Sequence, residues 1–196
     1  MTGIPHRVVV ASKNPDKIRE VEAVLASMAH PWEIVRGLEW PDVEETEPTL
    51  EGNAVLKAVA VAAATGLPAL ADDTGLEVDA LGGAPGVMSA RYSGPGATYE
   101  SNVDRLLDDL AGVEARAARF RTAIAFVVPG REPLVVDGVL EGSITTERRG
   151  ANGFGYDPVF LVGDRTYAEM ADEDKNAVSH RARALRALAA ALERVE

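Results

Sequence analysis

Apolar positions along this chain follow two rhythms, and the switches between them mark out its elements. Arg7 to Ala11 (RVVVA) is a short β-branched run of the kind that forms a buried strand. Ile18, Val21, Leu25 and Met28 then recur at helical spacing behind Asn14 and Pro15, a good cap and a good first helical residue. His30 and Pro31 end that helix, and Glu33 to Arg36 reads as a second strand. Thr49 opens a helix that passes Leu56 and Ala60 and reaches Thr65, where Gly66 and Pro68 stop it. Pro68 to Asp73 is an apolar strand carrying two acids at its end. Thr98 to Leu110 reads as a helix, and Arg119 to Val128 and Leu134 to Thr146 as an antiparallel pair around Pro129 and Gly130. The last helix starts at Ser179 as its cap and lays Ala182, Leu185, Leu188, Ala189, Leu192 and Val195 along one face. With no internal repeat or linker, residues 1–196 are expected to form one α/β domain around a mixed sheet.

Composition narrows the function. The chain has 196 residues, 46% of them hydrophobic, and a formal net charge of −11. Such an acidic chain lacks the basic footprint of a nucleic-acid binder, although local cations can still bind a small anion. The absence of cysteine removes disulfides, zinc–thiolate sites and thiol nucleophiles. MTGIPHRVVVASKN lacks a signal-peptide layout, and no apolar stretch approaches the roughly 20 residues of a membrane span, so a cytoplasmic setting is expected.

Four stretches carry candidate chemistry. In VVVASKNPDK a strand runs straight into a capped helix start flanked by Lys13 and Lys17, a geometry that suits a phosphate. The alternative is a plain cap with two solvated lysines, and the glycines of a Walker A loop are absent. Asp72 and Asp73, with the acidic run around Glu44, stand where carboxylates could hold Mg²⁺ or activate water. Adjacent strand residues point to opposite faces, so these two aspartates should differ in role; the alternative is a solvated strand end. GFGYDP offers Phe154 and Tyr156 as aromatics that could stack on a base, or else a tight turn with a core aromatic. KNAVSHR gathers Lys175, His180 and Arg181 at a helix start, where cations are unfavourable unless an anion or carbonyl oxygen offsets them.

These motifs resemble those of the inosine triphosphate pyrophosphatase family, the Ham1-like non-canonical purine NTP pyrophosphatases. Ser12-Lys13-Asn14-Pro15-Asp16-Lys17 with Glu20 is similar to the family's opening, ADDTGLEVDALGGAPGVMSARYSG to its long central signature, and GFGYDPVF and KNAVSHR to its later motifs, in family order over essentially the whole chain. The resemblance implies an elongated two-lobed α/β domain with a long curved mixed sheet flanked by helices and a cleft between the lobes. It implies a homodimer that uses Mg²⁺ to hydrolyse dITP/ITP and XTP/dXTP to the monophosphate and pyrophosphate. Carried over, Ser12, Lys13, Asn14, Pro15, Asp16 and Lys17 hold the triphosphate. Glu44 and Asp73 hold the metal, Asp73 also accepts the proton of water, and Thr74 contacts substrate. Phe154, Gly155, Tyr156 and Asp157 line the base and sugar pocket, which Lys175, His180 and Arg181 complete. Glu47 and Pro48 after Thr46, and Gly52 before Asn53, depart from the family pattern and leave Glu45 and Glu47 as alternatives to Glu44. A Maf-like pyrophosphatase of modified pyrimidine nucleotides has a related architecture without this central signature. A non-catalytic nucleotide-binding module would have no need of Asp73 as a base.

Overall fold

A computed structural model describes residues 7–28 and 32–194; the expected helix stop at His30 and Pro31, and Val195 of the last helix, lie outside the described residues. In chain order the elements are β1 (Arg7–Val10), α1 (Pro15–Ala26), β2 (Glu33–Ile34), α2 (Leu50–Thr65), β3 (Ala69–Val78), β4 (Pro85–Gly86), α3 (Tyr99–Asp109), β5 (Ala117–Val127), β6 (Leu134–Ile144), β7 (Phe160–Val162), β8 (Arg165–Thr166), α4 (Asp172–Val178) and α5 (His180–Glu193). The result is a mixed α/β fold with an open mixed sheet flanked by helices. The chain divides into two compact units, one formed by residues up to Asp73, 122–138 and from Arg181 onward, the other by Thr74–Arg121 and Val139–His180. It passes from one to the other within β3, β5 and β6 and at the start of α5.

In the first unit β1 lies between β2 and β3 and is parallel to both, with Val8 opposite Ile34 and Val10 opposite Leu70. Parallel pairing requires long crossovers, and α1 and α2 supply them. Asn14 caps α1 through its side chain, and Thr49 caps α2 by accepting from the Gly52 amide. Gly66 closes α2 in the left-handed region at φ 67°. The core gathers Val8, Val10, Val21, Val24, Leu25, Leu70, Ile124, Phe126, Leu185 and Leu188. The spacing of Val21, Val24 and Leu25 on α1 is the helical period read from sequence.

The second unit holds the rest of β3 with β4 against it, then Ala117–Arg121 of β5, Val139–Ile144 of β6, β7 and β8 in that order. The amide of Ile144 donates to the Arg116 carbonyl while the Arg119 side chain meets Glu141. Positions on β5 fall as those on β6 rise, which is antiparallel pairing. Its core is built on Leu76, Val103, Leu106, Leu110, Phe120, Tyr156, Phe160 and Tyr167.

Two elements differ from the sequence reading. β3 does not stop at Asp73 but runs on to Val78, so the paired acids stand in mid-strand. The continuation is held from outside: β4 folds back antiparallel, with Leu76 opposite Gly86. Gly75 is required there, because a Cβ at this position would lie 2.7 Å from the Gly86 carbonyl oxygen. The second difference is α4 (Asp172–Val178): Lys175, expected at the start of the last helix, stands instead on this separate short helix. Ser179 is the extended residue that follows it, its amide bonded to the Lys175 carbonyl.

Gly75→Ala must therefore push β4 away from β3. We expect a loss of about 1–3 kcal/mol in unfolding free energy, the usual cost of overpacking, read as a lower midpoint in thermal or urea unfolding.

Candidate active site

The turn between β1 and α1 is fixed by its own side chains. Ser12 Oγ accepts from the Asn14 amide at 3.2 Å, and Asn14 Oδ1 accepts from the amides of Asp16 at 2.9 Å and Lys17 at 3.4 Å. Pro15 starts the helix, so Ser12 to Lys17 surround its positive end. Lys17 points inward and its Nζ lies 3.4 Å from Asp72 Oδ2. Lys13 points outward and pairs with Asp42. Asp16 turns along the helix to Arg19, 2.7 Å away.

Mid-strand on β3, pleating sends the two aspartates to different partners. Asp72 is buried and accepts from Arg181 Nε at 3.3 Å and Nη2 at 3.2 Å, while Arg181 Nη1 donates to Glu20. Burial pushes the Asp72 carboxyl up, but Lys17, Arg181 and Lys57 together outweigh it and hold the group well below the usual carboxylate range. Asp73 instead accepts from Lys57 Nζ at 2.8 Å, and Glu45 accepts from the same ammonium at 2.8 Å. Burial raises the Asp73 carboxyl above its ordinary 3.8, with Lys57 and Lys17 opposing and Glu45 adding to the rise. Burial alone would lower Lys57, but Asp73, Asp72 and Glu45 reverse that and hold it charged, above its ordinary 10.5. Thr74, the next residue of β3, is half-buried.

In the second unit the loop before β7 folds around Asp157. Its buried Oδ2 accepts from the Phe154 amide at 2.9 Å and from Lys175 Nζ at 2.6 Å. A Cβ at Gly153 would come within 2.0 Å of that oxygen, so the close approach demands glycine. Gly155 sits in the left-handed region at φ 63° and completes the turn. Lys175 is buried, with its ammonium 5.1 Å from the centre of the Phe154 ring and 5.4 Å from that of Tyr167. His180 is buried and stacks on Phe120, ring centres 4.7 Å apart.

These side chains supply, in one unit, a capped turn with two lysines beside a buried carboxylate–lysine pair, and in the other a lysine fixed against aromatic rings. The Ham1 family model matches residues 8–191. The chain belongs to the Ham1 family. It is 48% identical to the dITP/XTP pyrophosphatase of Bacillus licheniformis over 95% of its length and 97% of that protein. It is 49% identical to the dITP/XTP pyrophosphatase of Methylococcus capsulatus over 95% of its length and 96% of that protein. Among solved structures, the Staphylococcus aureus Ham1 protein superposes with a TM-score of 0.83 at 38% identity, covering 97% of this chain and all of that one (100%). The HAM1 protein of Coxiella burnetii gives 0.84 at 42% identity, covering 96% and 98%.

In this Ham1 protein the predicted residues fall into clear places. Glu44 is exposed, and it is Glu45, one of the alternatives, whose carboxylate meets Asp73 at Lys57. Tyr156, expected in a base pocket, is instead a core residue: it is buried and its hydroxyl donates to the Ser89 carbonyl at 2.9 Å. Phe154, half-buried, is the aromatic of that motif left at a surface. Lys175 stands on α4, not at the start of the last helix. The cations of KNAVSHR that called for an anion find protein carboxylates, Asp157 for Lys175 and Asp72 with Glu20 for Arg181. Lys57 is the member of this charge cluster that sequence reasoning passed over. Its signal was present as a lone cation in the Ala-rich apolar run of α2.

The site fits Mg²⁺. Glu45 and Asp73 converge on one positive charge, each 2.8 Å from Lys57 Nζ, and they are hard oxygen donors. Among the described residues no group of three or more His, Cys, Asp or Glu side chains surrounds a metal position. Two carboxylates would leave the remaining coordination to substrate phosphate oxygens and water, the usual arrangement for this ion.

Asp72→Asn would leave Lys17 and Arg181 buried against a neutral amide. We expect a loss of about 3–5 kcal/mol at neutral pH, typical for breaking a buried ion pair. Because folding depresses this carboxyl, its contribution is complete above the ordinary value of 3.8 and fades as the pH falls below it. Urea unfolding of both chains at neutral pH and about pH 3 checks this: the gap between them should shrink on acidification.

Proposed function

We propose that this chain hydrolyses non-canonical purine nucleoside triphosphates, dITP/ITP and XTP/dXTP, to the monophosphate and pyrophosphate. The observation that carries the reading is the buried Asp73 on β3, held 2.8 Å from Lys57 with Glu45 on the same lysine. The relatives named dITP/XTP pyrophosphatase, at 48% and 49% identity over almost the whole chain, support the substrate class. Mg²⁺ would be held by Asp73 and Glu45 and, when bound, neutralises phosphate charge and polarises the phosphorus under attack.

The chain's own residues do the rest. Ser12, Asn14, Lys13 and Lys17 at the start of α1 take the phosphate oxygens, and Lys17 is pre-positioned by Asp72. Asp73 accepts the proton of the attacking water. The water oxygen bonds to the α-phosphorus as the bond to the bridging oxygen breaks, and that oxygen leaves with pyrophosphate. Little covalent chemistry is asked of the protein, so positioning and charge carry the rate. Burial favours Asp73 as a base, since a carboxyl raised above its ordinary value takes a proton more readily.

For the base, the donor ammonium of Lys175 over Phe154, with His180, suits a 6-oxo purine. Adenine brings an amino group to that position and leaves the donors unpaired, a mismatch that discriminates strongly. Phe154 offers the stacking surface that Tyr156, committed to the core, does not. A homodimer in the cytoplasm is the setting that the family resemblance supports.

The test is release of pyrophosphate and monophosphate from dITP, XTP, dGTP, dATP and dUTP with Mg²⁺. Fast release from dITP and XTP with little from dGTP and dATP is expected; no preference, or release of orthophosphate, would sink the proposal. Asp73→Asn should still bind dITP while turnover falls by about 10²–10⁴-fold, the range of a lost general base.

A further inference from the structure

The irregular segment between β2 and α2 carries Glu39, Asp42, Glu44, Glu45 and Glu47 and no lysine after Arg36. Its backbone is tied down at both ends. The Val35 amide donates to the Val8 carbonyl at 2.9 Å. At the other end the Glu47 amide donates to Asn53 Oδ1 at 2.9 Å, and Asn53 Nδ2 returns a bond to the Glu47 carbonyl at 3.2 Å. Between these ties two carboxylates reach lysines, Asp42 to Lys13 and Glu45 to Lys57.

The two lysines of the Ser12–Lys17 turn have opposite kinds of partner. Lys17 is held by Asp72, whose side chain is 1% exposed and is itself fixed by Arg181. That carboxylate cannot move away without leaving buried charge behind. Lys13 is held by Asp42, and the two side chains are 58% and 90% exposed. A pair so open to water contributes little to stability and is readily replaced by another anion. One lysine therefore has a permanent counter-charge and the other an exchangeable one. A polyanion arriving from solvent meets the exchangeable pair first, and the Asp42 carboxylate occupies the very charge it needs.

We propose that Asp42 is an internal competitor for Lys13, a carboxylate that holds this lysine in place of a phosphate oxygen and that the substrate's polyphosphate must displace. The inference rests on reading Ser12–Lys17 as the phosphate-binding turn. It makes Asp42 a residue that lowers affinity for the polyphosphate, with Lys13 as the group through which it acts.

The test is calorimetric titration of inorganic tripolyphosphate, in metal-free buffer of low ionic strength, into the full chain and into Asp42→Asn, Lys13→Ala and the double variant. Removing Asp42 should tighten binding roughly two- to five-fold, the scale of an exposed ion pair. The gain should shrink as salt rises. It should vanish in the Lys13→Ala background, since the coupling of the two changes isolates their pairwise effect. Unchanged or weaker binding by Asp42→Asn, or a gain that survives without Lys13, overturns the inference while leaving the phosphate turn intact. Failure of the unaltered chain to bind tripolyphosphate overturns the phosphate turn and this inference together.

Discussion

Asp72 is the constraint on which the first unit's chemistry depends. Its buried carboxylate touches Lys17 on α1 and Arg181 on α5, and Arg181 also reaches Glu20 on α1. Three elements distant in sequence thus meet on one charge cluster. A cluster of this kind is weak evidence for stability, because desolvation offsets much of the Coulomb attraction. Its stronger effect is on geometry: Arg181 is buried against Asp72 and Glu20 and cannot leave them without burying an unpaired ion, and Lys17 reaches the same Asp72 oxygen. The start of α1 is thereby fixed relative to β3, and strand alternation then delivers Asp73 to Lys57 and Glu45.

The second unit repeats the device with one carboxylate and one lysine. Asp157 receives its own loop's Phe154 amide and the Lys175 ammonium, so a single buried oxygen shapes the loop and sets the cation. Gly153 makes room for that oxygen, and the rings of Phe154 and Tyr167 flank the ammonium. Both units thus fix a lysine by giving it a buried acid, Asp72 and Asp73 for the half-buried Lys17 and Lys57, Asp157 for the buried Lys175. A donor held this way needs little reorganisation when a ligand arrives, which is how fixed dipoles and charges gain their catalytic and selective effect.

What could be read from the sequence follows the range of the forces involved. α1, α2 and α3 carry local marks: Asn14, Thr49 and Thr98 as caps, Gly66 as a stop, and apolar residues at helical spacing. The course of β3 past Asp73 is set by β4 returning across Gly75, a pairing between segments that carries no local signature. α4 was hidden because Ser179 looks like a cap for the following helix, which drew Lys175 into that helix's start. Phe154 and Tyr156 stand two apart on either side of Gly155, and Tyr156 becomes the core aromatic by bonding the Ser89 carbonyl, 67 residues away in sequence. Glu45 and Glu44 are likewise neighbours of equal chemistry, and the reach of Lys57 from α2 selects between them. Family motifs pointed to these stretches, but partner choice within each stretch is a long-range matter.

An acidic chain that handles a polyanion looks paradoxical at a net charge of −11. The global field is the wrong quantity, because exposed charges more than about 10 Å apart are screened at ordinary ionic strength. Near the proposed phosphate turn the relevant charges are Lys13, Lys17, Lys57 and Arg181, and three of these four sit beside buried carboxylates that fix them. The excess acids lie largely in the irregular segment before α2 and on exposed helix surfaces, in water. Yet each internal carboxylate that orders a cation also reduces the net positive charge a phosphate can meet. Preorganisation and raw attraction therefore oppose one another, and under the proposed function a divalent cation held by Asp73 and Glu45 would offset the opposition by supplying positive charge.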